Sequence, residues 1–485
     1  MAGEDSIKRL RLSGSAETGA TGGQPLSCVM CASPDFVDSI IRQIEPTEAN
    51  FKRMRLQLEL VCRCWYHATR LVRGDTKWYG PFTSRAMTWM RESCMDSGWA
   101  ELLHSIAEYR SCDEVLEAGL SRLFDTLTTQ VQHAVINEGR AFGVLRDLMR
   151  EFPYCGDEVA LKLCVKILAW LTSHREYRTR RVYAQQAWDS YVVEAVASAM
   201  TRKPHRFRVH AHGLEVLVQC TDRAIFMTND TVEPGTPRCK SVLDALVAAL
   251  RAVRPGSMRA TYHITVYSPT QLRTVVGIRA NAMMLAAQLF EPVDKDNRWS
   301  PNDSIPLRPS AMHTSFVRAG GVKLVEIAMR EPPPPDGDAS PTERRRARRN
   351  FELLQHYACL VLAQLAGLRN KYMIRDIVAG DGTHSALDRL VDVLVHHGTG
   401  DELTLAQETS CTALNFLCWD DPLVQQRLVD ALCIPVLELA TANVSRPEHD
   451  PLKLMRTLVA RALLALALAP RSLAGACTRA RALSH

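Results

Sequence analysis

The residue types best suited to chemistry cluster near the start of the chain, where Cys28 and Cys31 form a CxxC pair and Cys62 with Cys64 forms a CxC pair. Four thiolates in two such pairs have the ligand set of a structural zinc site. The first pair, however, borders a segment poor in large apolar side chains that reads as disordered. The expected metal and cofactor content is therefore none. A second group, His205, His210 and His212, lies in KPHRFRVHAHG, a basic turn leading into a helix. Solvated surface is the default for such a run, and a patch for phosphate or an acidic partner is the sharper alternative. Gly380 to Ser385, GDGTHS, has two glycines but neither the third glycine nor the preceding strand of a dinucleotide site, so it reads as a turn between helices. Neither a GK[ST] phosphate loop, nor HExxH, nor a GxSxG elbow is present, and the expectation is a non-enzymatic chain.

Local basic clusters carry more promise than the bulk charge. Fifty-nine basic and 53 acidic residues leave a net charge of only +6, too little to drive nucleic-acid binding by itself. The segment HREYRTRR, with Arg178, Arg180 and Arg181, precedes KPHRFR, with Arg206 and Arg208. Two such clusters on stacked repeats would form one positive patch suited to an acidic peptide. The aromatic interleaving of a single-strand nucleic-acid platform is limited to Tyr177 and Phe207, so nucleic acid is not the expected partner. A third run, ERRRARR at Glu343 to Arg349, reads as a localisation signal or acid-binding patch, or else as the solvated first turn of a helix.

The elements that must carry these groups are helices. The 485 residues, 46% hydrophobic, are enough for roughly three domains or one long repeat array. Apolar residues recur at i, i+3, i+4 and i+7 in Val159 to Leu171, Ser241 to Val253, Ala280 to Phe290, Phe351 to Leu365 and Leu452 to Leu468, which predicts an all-α fold. Thr261 to Tyr267 alternates like a short extended segment before a helix start at Ser268 and Pro269. Proline-rich insertions near 291–309 and 331–347 read as loops, because proline lacks the amide donor and its ring blocks the preceding turn. Residues 1–26 and the basic tail at 471–485 read as disordered. Fifteen cysteines are too sparse for a disulfide scaffold, and Cys164, Cys220, Cys359, Cys411 and Cys433 lie in apolar helical stretches as core thiols. The longest apolar run, Val459 to Ala469, is interrupted by Arg461 and is too short to span a bilayer. With no secretory leader in view either, the expected location is cytoplasmic, nuclear or both.

One helical pattern repeats: ILAWL at Ile167 to Leu171, VLVQC at Val216 to Cys220, LAAQL at Leu285 to Leu289, LAQL at Leu362 to Leu365, ALNFL at Ala413 to Leu417 and ALLALA at Ala462 to Ala467. A turn and a second apolar helix follow several of these, as in GGVKLVEIAM from Gly320, and the period is roughly 50 residues where no loop intervenes. These segments resemble the armadillo repeat family, with HEAT repeats close by: Val317 to Met329 matches its GGIPxLVxLL helix, and Leu362 to Ile374 is similar to its ALxNLA helix. The resemblance covers about 113–470 and implies a right-handed α-solenoid, an armadillo-like superhelix that binds an extended peptide or acidic protein segment. In that family an Asn on the third helix of each repeat holds the peptide backbone. The matching positions here are Trp170, Gln219, Gln288, Gln364 and Ala465, with Asn415 one residue early. Glutamine amides at these places either contact a peptide in the groove or satisfy the backbone of neighbouring repeats, and the residues alone leave both open.

Residues 27–112 follow another pattern. SPDFVDSIIRQIEP, LELVCRCWYHATRL and TKWYGPF resemble an F-box, with Leu60, Val61, Cys62, Arg63 and Trp65 as its VCRxW core and Trp78 as the closing tryptophan. Ser33 replaces the family's leucine, and Glu48 to Gln57 is longer than usual. The resemblance implies a small helical module whose Pro34, Phe36, Ile40, Ile41 and Ile44 contact a Skp adaptor and, through it, a cullin. The resulting expectation is a non-enzymatic substrate receptor of a Skp-cullin-F-box ubiquitin ligase. Its alternative is an armadillo-type structural or trafficking scaffold in which the N-terminal residues cap the solenoid.

Overall fold

The computed structural model describes residues 88, 98–108, 113–137, 140–151, 158–221, 237–254, 269–290, 311–330, 340–379, 385–396 and 405–417. Among them helix is the only regular secondary structure. The F-box-like segment 34–82, the extended segment at Thr261 to Tyr267, the insertion at 291–309, and Leu452 to Leu468 lie outside the described residues. By contact density the chain divides into two units, at Ile167 and Leu168.

In the first unit, α1 (Trp99–Glu108) packs on α2 (Asp113–Thr126) and α4 (Ala141–Glu151), with the short α3 (Gln132–Asn137) beside α1 and α4. Leu102, Leu103, Ile106, Leu116, Leu120, Leu123 and Leu145 lose all contact with water and form its core. At about 25 cal/mol per Å2 of apolar area, burial of each such leucine is worth roughly 2 kcal/mol. α1 precedes the expected module boundary at 112 and packs on α2 and α4. α5 (Glu158–Thr172) runs across the division between the units.

The second unit contains α6 (Tyr177–Asp189), α7 (Val192–Arg202), α8 (Phe207–Cys220), α9 (Pro237–Ala252), α10 (Pro269–Phe290), α11 (Ala311–Arg318), α12 (Gly321–Met329), α13 (Pro341–Gly367), α14 (Lys371–Ala379), α15 (Ala386–His396) and α16 (Leu405–Leu417). Its helices pack in two rows. One row runs α7, α9, α12, α15 and the other α8, α10, α13, α16, and each helix of the first row also packs on the helix at its own position in the second. The second row carries the recurrent LVQC, AAQL, LAQL and ALNFL segments, whose near-continuous apolar character suits helices with neighbours on both sides as well as in the other row.

Helix starts follow the local chemistry. α10 begins at Pro269, where proline lacks an amide hydrogen that the first turn would leave unbonded. α13 begins with Ser340 in a capping box: the Ser340 hydroxyl accepts from the Glu343 amide, and the Ser340 amide donates to the Glu343 carboxylate at 2.9 Å. The expected loop at 331–347 is corrected by this, since residues 341–347 are helical. The turn from α11 to α12 needs both its glycines. Gly320 has φ +80°, and a Cβ on Gly321 would sit 2.4 Å from the ring of buried Phe316. Cys164, Cys220 and Cys359 are buried, and burial pushes the Cys220 thiol up to about 12.

Candidate functional site

The two rows are joined by polar side chains at a fixed register. His210, Arg279 and Gln355 sit nine residues before the recurrent glutamine positions (210 and 219, 279 and 288, 355 and 364), on α8, α10 and α13, and all are buried. Each donates to a carbonyl at or just after the end of the preceding first-row helix. Arg279 reaches the Val253 carbonyl at 2.6 Å, Gln355 reaches that of Met329 at 3.4 Å, and His210 Nε2 reaches that of Pro204 at 3.2 Å, with the ring taken as the Nε2–H tautomer. The last carbonyls of a helix lack intrahelical partners, and a buried one without a donor costs about 1–3 kcal/mol. Gln407 is buried at the corresponding register on α16 (407 and 416).

The recurrent glutamines themselves join members of the second row. The Gln364 amide donates to the Ala287 carbonyl of α10 at 3.1 Å, and Gln288 lies 3.1 Å from the hydroxyl of Thr221, the residue that ends α8. Gln364 is only 4% exposed. These are contacts with neighbouring helices of the same row, and Gln364 is buried in making them. Gln219 and Trp170 are half-buried, on α8 and α5. Asn415 belongs to α16, but its side chain lies outside the described residues.

The expected basic patch is on the surface. Arg178, Arg181, Arg206 and Arg208 are exposed, and Arg180 is half-buried with its guanidinium 5.3 Å from the Tyr177 ring. The helices bearing them, α6 and α8, pack against each other within one unit. His205 is exposed and His212 lies 3.2 Å from the Glu215 carboxylate, but His210 departs from the solvated-surface expectation. It faces the interior, and desolvation pushes its imidazole down to about 4. His313, stacked on Phe290 with ring centroids 4.8 Å apart, is pushed down to about 4 by the same cause.

One cluster was not visible in the sequence. The Arg238 guanidinium lies over the rings of Trp188, at 4.6 Å, and Tyr191, at 5.0 Å, and is paired with Glu194. Tyr191 holds a left-handed backbone at φ 59°, rare for a side chain of its size. This contact fixes the start of α9 on the α6–α7 corner, and its members come from three separate segments. A cation over two aromatic rings gives no sequence signal, because its geometry is purely tertiary.

The adaptor-contact residues Pro34, Phe36, Ile40, Ile41 and Ile44, and the cysteines of the two thiol pairs, lie outside the described residues. Among the described residues no helix is long and apolar enough to cross a membrane. Comparison with known proteins gives no match, whether to a family model, a curated protein or a solved structure.

Proposed function

We propose that this chain is a non-enzymatic protein-binding adaptor. In this reading α6 to α16 are degenerate armadillo-like repeats of a right-handed solenoid that selects a partner protein, and the N-terminal F-box-like segment docks on a Skp adaptor, presenting the partner for ubiquitin transfer by a cullin ligase. The observation that carries the repeat reading is the recurring register of His210, Arg279 and Gln355, each tying a second-row helix to the end of the preceding first-row helix. Stacked repeats of this kind expose long surfaces in which each repeat adds a few contacts, which suits recognition of an extended partner. The ligase link rests on the VCRCW segment, its flanking helix pattern and Trp78.

The test is affinity capture of the full chain from its native cells, beside a variant carrying Ile40→Asp, Ile41→Asp and Ile44→Asp. The expected result is recovery of a Skp adaptor and a cullin with the unaltered chain and their loss with the variant, at unchanged helical circular dichroism and melting. Capture of neither by the unaltered chain overturns the ligase link and leaves the structural or trafficking scaffold.

A further inference from the structure

The N-terminal turns of α13 form the most concentrated charge on the described surface. Arg344, Arg345, Arg346, Arg348 and Arg349 are all exposed, while Ala347 and Phe351 turn inward. Cations near a helix N-terminus oppose the macrodipole, and like charges at i, i+4 repel, each by a few tenths of a kcal/mol. Glu343 supplies an acid in this first turn and is engaged in the capping box.

Helical geometry sorts the arginines into an ordered face. Arg344 with Arg348, and Arg345 with Arg349, stand one turn apart, about 6 Å along the axis, giving two adjacent columns of guanidinium groups. Among the described residues, Pro341, these four arginines and Glu352 line a cavity of about 740 Å3. The four arginines and Glu352 thus stand together along one stretch of α13.

We infer that this face is a docking site for an acidic protein segment whose carboxylates recur about 6 Å apart, the rise between i and i+4 on a helix and close to that between i and i+2 on a strand. Guanidinium groups hold carboxylates through two parallel hydrogen bonds, so an arginine column reads spacing as well as charge. Nucleic acid is the weaker fit. The described lining has no aromatic ring to stack a base, and the Glu352 carboxylate repels a phosphate backbone while offering a contact to a basic residue of a protein partner. The inference does not depend on the ligase link, since it concerns residues 341–352 alone.

The test measures anisotropy of a fluorescein-labelled oligoglutamate peptide of about twelve residues with the full chain at low ionic strength, where surface charge is least screened. Three variants are compared: Arg345→Glu with Arg349→Glu, Lys371→Glu with Arg375→Glu on α14, and Arg345→Lys with Arg349→Lys. The expected result is at least a tenfold loss for the α13 reversal, less than a twofold change for the α14 reversal, and about a threefold loss for the lysine pair, which keeps the charge but not the planar fork. Circular dichroism and melting should be unchanged throughout, because every altered side chain is exposed. Equal losses from both reversals would mean general attraction to a basic protein and overturn the inference. Tighter binding of a single-stranded RNA of the same length, lost in the α13 reversal, would overturn it in favour of a nucleic-acid surface.

Discussion

Arginine does opposite things in two regions of the second unit. In the seam between the rows, Arg279 is 1% exposed and spends its guanidinium on the Val253 carbonyl. In the first turns of α13, five arginines are exposed on a helix whose later turns, from Phe351 to Gly367, are packed against α10 and α16. The same side chain is therefore a backbone partner in one place and a surface for recognition in the other. Position along the second-row helices decides which: the seam residue sits at the register shared with His210 and Gln355, whereas the α13 arginines precede the packed turns. A buried polar group must find its partner within the fold, whereas an exposed one is satisfied by water and remains available to a ligand.

The contrast can be broken at the seam most easily. Arg279→Ala should cost about 2–5 kcal/mol, because it leaves both a cavity and a buried carbonyl without its donor; Arg279→Met, which refills most of the volume, should recover part of this in urea denaturation. An Arg279→Ala protein as stable as the parent would show that the seam bond is dispensable. Acid attacks the same region through His210 and His313. Each has a folded pKa near 4, below the value of 6.5 it takes when unfolded, so between those limits the unfolded state binds the protons the folded state refuses. Stability should hold above pH 6.5 and fall toward pH 4 by about 1.4 kcal/mol per pH unit for each histidine. His210→Gln should flatten the melting-temperature profile across that window, and an unaltered slope would remove His210 from this role.

Smaller effects sharpen the comparison within α13 itself. Gln355→Ala, in the packed turns, should cost about 1–3 kcal/mol by depriving the Met329 carbonyl of its donor. Ser340→Ala, at the capping box, should cost about 1 kcal/mol, measurable as a lowered melting temperature. Arg346→Ala, in the first turns, should stay within about 0.5 kcal/mol of the parent. A cost for Arg346→Ala as large as that for Gln355→Ala would mean that the first turns are structural and the division between the two regions false.

Much of this organisation is legible along the chain. The 3.6-residue period locates α5, α9, the second half of α10 and the packed part of α13, because a helix buried on one side must repeat its apolar residues at that interval. Pro269 marks the start of α10 for an equally local reason. The start of α13 agrees with the reading of Glu343 to Arg349 as the solvated first turn of a helix, although Arg344 to Arg349 carry no apolar period and the local signal is the S-x-x-E of the capping box at Ser340 and Glu343. His210 reads as surface because its neighbours in sequence are basic, while the roughly 100° step of the helix turns the imidazole about 200° away from exposed Arg208.

The sequence by itself determined the helical class, the recurrent glutamine segments and the positions of the basic clusters, since each of these depends on residues within a few turns of one another. Only the tertiary structure decided which polar residues are spent inside. Gln364 and Ala287 are 77 positions apart, and Arg238 meets Glu194 across 44. Whether a glutamine faces a groove or a neighbouring helix depends on where a distant carbonyl comes to rest, and that is fixed by the packing of the rows, which no local pattern records.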